Sequence, residues 1–387
     1  MIKPIRKLDT RNLSEKELQK LIDDNKNIYN EFFDFNYLKS IVVNFCDLPD
    51  QFYFRSRFIG FENMPERNNP DKPLIYASNH SGMAFPWDAM VFGAGLLQMN
   101  DYDMRKSVRG LAAPMLSQTK LMQPYQIDNM WKRLGGIDAT TLNFETMMQY
   151  QDSNVLIYPE GVPGIAKGFN KKYQLQRFST SFIRMSIKHK TDIIPVSTVN
   201  AEYINPYSYN SNAVSRMVNK IGIPFLPLGL SLILLPLQPW SFYMAFPANL
   251  IYVKGDRIKP YELTNKPFEE LTREDLLEIT DQVKKQMQND LDLAVEKYGK
   301  RPYHFRGFFK SIFKKPFKIP YILPSGWPLM MLEHERQFLK GDGKPVKMNF
   351  RFFSLLVWLF KTPHSIFFYI PVIGWIPLII RMLKKKQ

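Results

Sequence analysis

The chain holds one cysteine, Cys46, in 387 residues. That excludes an internal disulfide and any cysteine-built metal site. Histidine is scarce too: beyond His80, the residues His189, His304, His334 and His364 are scattered without metal-ligand spacing, so packing or surface roles are expected and no metal is implied. No Gly-x-Ser-x-Gly elbow occurs, and nothing near Cys46 would activate a thiol, so the familiar enzyme nucleophiles are missing. Met1 to Lys7 has no apolar run of signal-peptide type, and the bulk of the chain is expected to be cytoplasmic. Long hydrophobic runs are also lacking. Residues 221–249 are apolar but broken by Pro224, Pro227, Pro236, Pro239 and Pro247. Residues 352–382 are interrupted at Lys361 to His364 and by Pro371 and Pro377, and neither half reaches the roughly 20 residues of an ordinary span. Acidic residues are outnumbered, 36 against 52 Lys and Arg, for a net charge of +16. With 14% aromatic residues this is not a disordered basic tail, and the balance points to a nucleic acid or an anionic membrane surface.

What is present is organised around residues 74–88. The apolar run Leu74 to Ala77 reads as a buried strand ending at Ser78 and Asn79, followed by His80, Ser81, the flexible step Gly82, and Asp88. Pro86 is suited to open a helix, which places Asp88 in its first turn. A histidine at a strand end near such a carboxylate suits a base and its orienter, or else a loop histidine beside a helix-capping acid. Val155 to Tyr158 and Ile193 to Val199 read as further buried strands, the first ending in Pro159-Glu160-Gly161 and the second at Asn200-Ala201-Glu202. Phe52 to Ile59 and Leu250 to Val253 also read as strands. Helices are expected over 13–33 (Ser14 and Glu17 forming a capping box), 88–98, 140–150 and 178–188, and from the Thr272/Asp275 box to Gly299. A looser region is expected up to Trp131-Lys132-Arg133-Leu134-Gly135-Gly136. Gly93-Ala94-Gly95 lacks the third glycine and the preceding strand of a dinucleotide fingerprint. The pattern predicts an α/β fold, a mixed central sheet flanked by helices, with N-terminal helices (1–50), a catalytic domain (51–299) and a C-terminal helical region (300–387).

Asn-His at the end of a strand, Tyr-Pro-Glu-Gly at 158–161 and Ile-Ile-Pro-Val at 193–196 occur in that order, and together they resemble the phospholipid/glycerol acyltransferase family, of the 1-acylglycerol-3-phosphate acyltransferase type. The resemblance covers roughly residues 55–299, and Gly60 to Pro65 is similar to the family's lead-in strand and turn. It implies that His80 is the base and Asp88 its orienter. It places Glu160 and Gly161, with the loosely matching Arg133, Gly135 and Gly136, at the acceptor site, and Asn79 and Ser81 beside them. The donor would be an acyl thioester of CoA or acyl carrier protein, with no other cofactor.

Two departures stand out. The family's usual gap of four residues between histidine and aspartate is seven here, similar to a branch with a longer spacing. On one continuous helix that would leave the pair about 12 Å apart along the axis, so a loop through Ser81 to Phe85 is needed. The arginine expected after Pro-Glu-Gly is also missing, leaving Lys167, Lys171, Lys172 or Arg177 as cations for a phosphate-bearing acceptor.

Phe305, Phe308, Phe309, Ile312 and Phe313 fall on one helical stripe, with Arg306, Lys310, Lys314, Lys315 and Lys318 between and beside them. An amphipathic helix of this kind is expected to contact an anionic membrane. Residues 352–382 suggest a re-entrant or interfacial helical pair, with Arg381, Lys384, Lys385 and Lys386 holding its end on the cytoplasmic side. Nucleic acid is set aside, because the basic residues accompany apolar stripes and form no reading motif. The expected function is a membrane-associated O-acyltransferase acting on a lysophospholipid such as lysophosphatidate. The alternatives are a neutral-lipid acyltransferase for a glyceride or other alcohol, and a non-catalytic lipid-binding protein of the same fold.

Overall fold

Three apolar runs fold into neighbouring parallel strands: β2 (Ile75–Ser78) lies between β5 (Asn154–Ile157) and β6 (Ile193–Val199). Every residue of the three is buried, as expected of mainly apolar strands covered on both sheet faces. The computed structural model describes residues 13–82, 85–118, 123–220, 226–229 and 233–383, and of Ser117, Gln118 and 381–383 only the backbone. The sheet is completed by β1 (Arg57–Ile59), β3 (Val108–Ala112), β4 (Ile137–Asp138) and β7 (Ile251–Lys254), in the order β1-β7-β6-β2-β5-β3-β4. Only the β6–β7 pair is antiparallel, so the sheet is mixed, as expected from the sequence.

Alternation along the strands divides the core in two. Ile75, Ala77, Val155, Ile157 and Ile193 pack on one side with helices α5 (Ser181–His189) and α6 (Arg273–Tyr298). Leu74, Tyr76, Leu156, Ile194 and Val196 face the other side, which holds α3 (Trp87–Met99). N-terminal helices α1 (Glu15–Asp24) and α2 (Phe35–Ile41) precede the sheet, and α4 (Thr141–Met147) lies between β4 and β5. Both predicted capping boxes form, Ser14 with Glu17 and Thr272 with Asp275.

After α6 come α7 (Phe305–Ile312), α8 (Trp327–Lys340), α9 (Ser354–Lys361) and α10 (Trp375–Leu383). Trp327 is fully buried and stacks edge-on to Trp87 at 4.6 Å, next to Asp88 in sequence, so the C-terminal region shares the core of the second sheet face. A side chain of this size is worth roughly 3–5 kcal/mol on truncation to alanine.

Several expectations change. Phe52 to Ile59 is not one strand: Pro49–Phe54 is helical, and a left-handed Arg55 (φ 50°) ends it before β1. Asp50 accepts from the Ser56 N–H and closes that corner. The supposedly loose stretch before Trp131 holds β3, whose middle, Arg109-Gly110, breaks the apolar pattern. The predicted 13–33 helix stops at Asp24 and continues as a 3-10 turn over Lys26–Tyr29. Phe308 and Ile312, expected on the membrane-contacting stripe, point into the core instead, where Phe308 meets Tyr53 edge-on at 5.6 Å. Phe305, Phe309 and Phe313 stay outside, 51–64% exposed. Among the described residues no helix is long and apolar enough to cross a membrane. The basic end 384–386 and the Arg381 side chain lie outside what the structure describes.

Candidate active site

Because β2, β5 and β6 run parallel, the residues after each strand gather along one sheet edge. His80 follows β2 by two residues; Glu160 and Glu202 follow β5 and β6 by three. Asn79 locks the first of these loops to β6: its side-chain NH₂ donates to the Thr198 carbonyl (2.9 Å) and its oxygen accepts the Thr198 N–H (2.7 Å). The Asn79 amide is thus engaged with the main chain of β6.

The His80 ring stacks on Tyr158 with centroids 4.2 Å apart and planes 21° apart. Its Nδ1 is buried without a hydrogen bond. Burial, assisted by the positive charge of Lys167, pulls its pKa from 6.5 down to about 3, so the imidazole is neutral at physiological pH. Asp88 sits in the first turn of α3, fully buried, with both carboxylate oxygens lacking a hydrogen bond of ordinary geometry. Burial raises its pKa to about 7; the Ala89 N–H opposes this, the Glu202 charge adds to it, and Ser81 opposes it. No hydrogen bond joins His80 to Asp88. The two are gathered in one region but not paired, and residues 83 and 84 between them are not described. The Ser81 hydroxyl is likewise buried without a partner.

Glu160 is buried, and protein groups occupy both its oxygens. Oε1 accepts the His80 main-chain N–H at 2.9 Å, and Oε2 accepts the Gln176 N–H at 2.6 Å. It shapes the loop carrying His80 and is not among the cavity-lining residues. Lys167, expected as a phosphate-binding cation, is turned inward with 1% of its side chain exposed, 3.4 Å from Glu202 and 3.9 Å from Glu160. Arg133 is spent elsewhere: it pairs with Glu335 of α8 at 2.7 Å and lies over the Tyr37 ring at 3.5 Å. The Gly135 carbonyl accepts from Arg109. Arg177 is exposed and does not line the cavity described next. Gly161 and Gly136 do line it, and Gly161 takes the left-handed φ of 58° that lets the chain turn at the sheet edge.

That cavity, about 630 Å³, runs from His80, Tyr158, Pro159 and Gly161 past Met90 and Gly93 of α3 and Gly110 of β3 to Ile41, Val42 and Cys46. Its lining includes no Lys, Arg, Asp or Glu among the described residues. Sequence reasoning missed this cavity, the Tyr158 stack and Glu202. The legible signal for Glu202 was its position, three residues beyond a buried strand like Glu160; the cavity is made by residues far apart in the chain and had none.

Residues 55–199 match the family model described as Acyltransferase. An uncharacterized protein of Mycobacterium leprae is 24% identical over 220 residues, covering 57% of this chain and 53% of that protein. An uncharacterized protein of Mycobacterium tuberculosis is 25% identical over 177 residues, covering 46% of this chain and 45% of its own length. The chain thus spans about half the length of these curated relatives. A solved structure, the 1-acyl-sn-glycerophosphate (LPA) acyltransferase PlsC from Thermotoga maritima, aligns with a TM-score of 0.36 and 12% identity, over 66% of this chain and 81% of that one.

Proposed function

We propose that the chain is a membrane-associated O-acyltransferase that moves a fatty acyl group from a thioester of CoA or acyl carrier protein to a lipid hydroxyl. The observation that carries this is the apolar cavity opening at His80. Its volume falls in the range of roughly 300–1,000 Å³ common to small-molecule sites, and an uncharged lining suits a hydrocarbon chain. The neutral His80 imidazole takes the proton of the acceptor hydroxyl as its oxygen attacks the thioester carbonyl carbon. The tetrahedral intermediate then collapses, the carbon–sulfur bond breaks, and the thiolate recovers the proton from the imidazolium. No enzyme nucleophile is required, because the thioester is already activated. Asp88, in the first turn of α3, is read as the carboxylate that stabilises the imidazolium.

The acceptor is a glycerolipid hydroxyl. A lysophospholipid such as lysophosphatidate is the first reading. The second, a neutral glyceride or other alcohol, draws support from the inward-turned Lys167 and the absence of cationic side chains among the described cavity residues. The membrane supplies the acceptor at the face formed by Phe305, Phe309, Phe313 and Phe317, with exposed Arg306, Lys310, Lys314 and Lys315 beside them. The apolar residues Phe352, Phe353, Leu356, Phe360 and Val372 continue it, each more than half exposed.

The test is a transfer assay in vesicles, with labelled acyl-CoA and acyl carrier protein donors offered lysophosphatidate or monoacylglycerol, and His80→Ala alongside. Product formed by the native protein and lost in the variant is expected. Product undiminished in His80→Ala would overturn the mechanism; no product with any pair would favour a non-catalytic lipid-binding role.

A further inference from the structure

Three buried charges that the reaction above leaves without a role meet behind His80. The Lys167 ammonium lies 3.4 Å from Glu202 Oε1 and 3.9 Å from Glu160 Oε2, and it donates to the Gln174 carbonyl at 3.4 Å. Glu202 Oε1 also accepts the Tyr173 N–H at 3.0 Å, and Glu160 takes the N–H groups of Gln176 and His80. The main chain of 173–176, which has no regular secondary structure, is therefore strung on these three side chains. Four segments converge there: the loop after β2, the end of β5, residues 173–176 and the end of β6.

The same lysine supports the loop from the other side. Gly82 has a φ of +76°, and a Cβ there would lie 3.0 Å from the Lys167 carbonyl oxygen and 3.1 Å from its Cγ. The turn at Gly82 thus rests on the Lys167 stem. Two carboxylates face one ammonium, all out of water, an arrangement that hydrophobic packing of similar volume would match or better for stability alone.

We propose that Lys167 and Glu202 are positioning residues for acyl transfer: their contact fixes the Glu160 carboxylate that holds the His80 main chain and puts a fixed positive charge behind the His80 ring. This rests on the reading of His80 as the base. The groups facing the ring region are Tyr158 in the stack, Asp88, Glu160 on the main-chain N–H, Lys167 and, through it, Glu202. Burial and the lysine charge both oppose protonation of the ring, burial the more strongly. Lys167 therefore adds to burial in disfavouring a proton on the ring, without touching substrate.

The experiment uses the full chain with ¹³C-labelled histidine, the His80 resonance being identified by its loss in His80→Gln. Lys167→Met/Glu202→Gln removes one charge of each sign and leaves no lone ammonium; Lys167→Arg and Glu202→Gln are compared with it. The double variant is expected to titrate His80 at least one pH unit higher than the native protein. It should also lower kcat at least tenfold, with the acyl-donor KM changed less than twofold. Lys167→Arg should retain the native titration, and Glu202→Gln, which keeps the ammonium, should leave His80 neutral across the same range. An unchanged His80 titration in the double variant, or the same rise in Glu202→Gln, would overturn the proposal. Where the double variant does not fold, Glu202→Gln decides alone, and a kcat within twofold of native overturns it. The resonance is read without turnover, so a native protein that transfers no acyl group indicts the proposed reaction and leaves this electrostatic role separately readable.

Discussion

The main-chain N–H of His80 donates to Glu160 Oε1 at 2.9 Å, joining the end of β2 to the end of β5. A carboxylate accepting main-chain N–H groups makes charge-assisted bonds, stronger than neutral ones. Glu160→Ala would strand the His80 and Gln176 N–H groups and leave Lys167 with Glu202 alone. The expected loss is roughly 2–5 kcal/mol of stability, read by denaturant unfolding, with transfer reduced at least 100-fold. Glu160→Gln keeps one acceptor oxygen and should lose less of both. A Glu160→Ala protein of native stability would show that this contact does not hold the loop.

Gly93 of α3 and Gly110 of β3 both line the cavity, and a Cβ added at either meets nothing within 4 Å. Gly93→Leu or Gly110→Val should fill the bore without disturbing the fold and shift donor preference toward shorter acyl chains. Competition between long- and short-chain acyl-CoA checks this. Gly95 behaves differently, since a Cβ there would run into the Phe58 ring; Gly95→Ala should destabilise the protein and leave chain-length preference alone.

Folded His80 binds its proton far more weakly than an ordinary histidine, with a pKa of about 3 against 6.5. Between those values the unfolded chain holds more protons than the folded one, so this group's contribution to stability is present above pH 6.5 and is lost as pH falls. Its slope is at most about 1.4 kcal/mol per pH unit. Asp88, raised from 3.8 to about 7, contributes the opposite slope over its own window, with stability lost as pH rises toward 7. In urea unfolding between pH 7 and 5, His80→Gln should therefore be less destabilised by acid than the native protein. Asp88→Asn should be more so. Parallel curves for all three proteins would contradict both assignments.

Phe309 and Phe313 are exposed beside the cations Lys310, Lys314 and Lys315. Phe309→Ser/Phe313→Ser and Lys314→Glu/Lys315→Glu should each weaken binding to phosphatidylserine-containing vesicles, the lysine pair by roughly 1 kcal/mol per charge removed. The second loss should shrink in high salt and the first should not. Phe308→Ser, on the buried side, should instead cost stability. Sedimentation with vesicles of graded charge reads the first two, and urea unfolding reads the third.

The sequence by itself determined the elements whose signals are local. Ile193–Val199 is a strand with the expected bounds because it is rich in β-branched residues (Ile193, Ile194, Val196, Thr198, Val199) and buries all seven of its positions. The Thr272/Asp275 box starts α6 where the side chains cap their own helix. The order of strand-end motifs around His80, Glu160 and Ile193 to Val196 was legible for the same reason. What tertiary structure decided was the direction of each charge and ring. Lys167 and Arg133 read equally well as solvent-facing cations until carboxylates from distant segments, Glu202 and Glu335, drew them in. Phe308 and Phe309 are neighbours in one stripe, yet one meets Tyr53 and the other faces solvent, because Pro49–Phe54 packs on only part of that stripe. The cavity is the clearest case: its walls come from α2, α3, β3 and the end of β5, and an empty volume between distant segments leaves no periodicity in any of them.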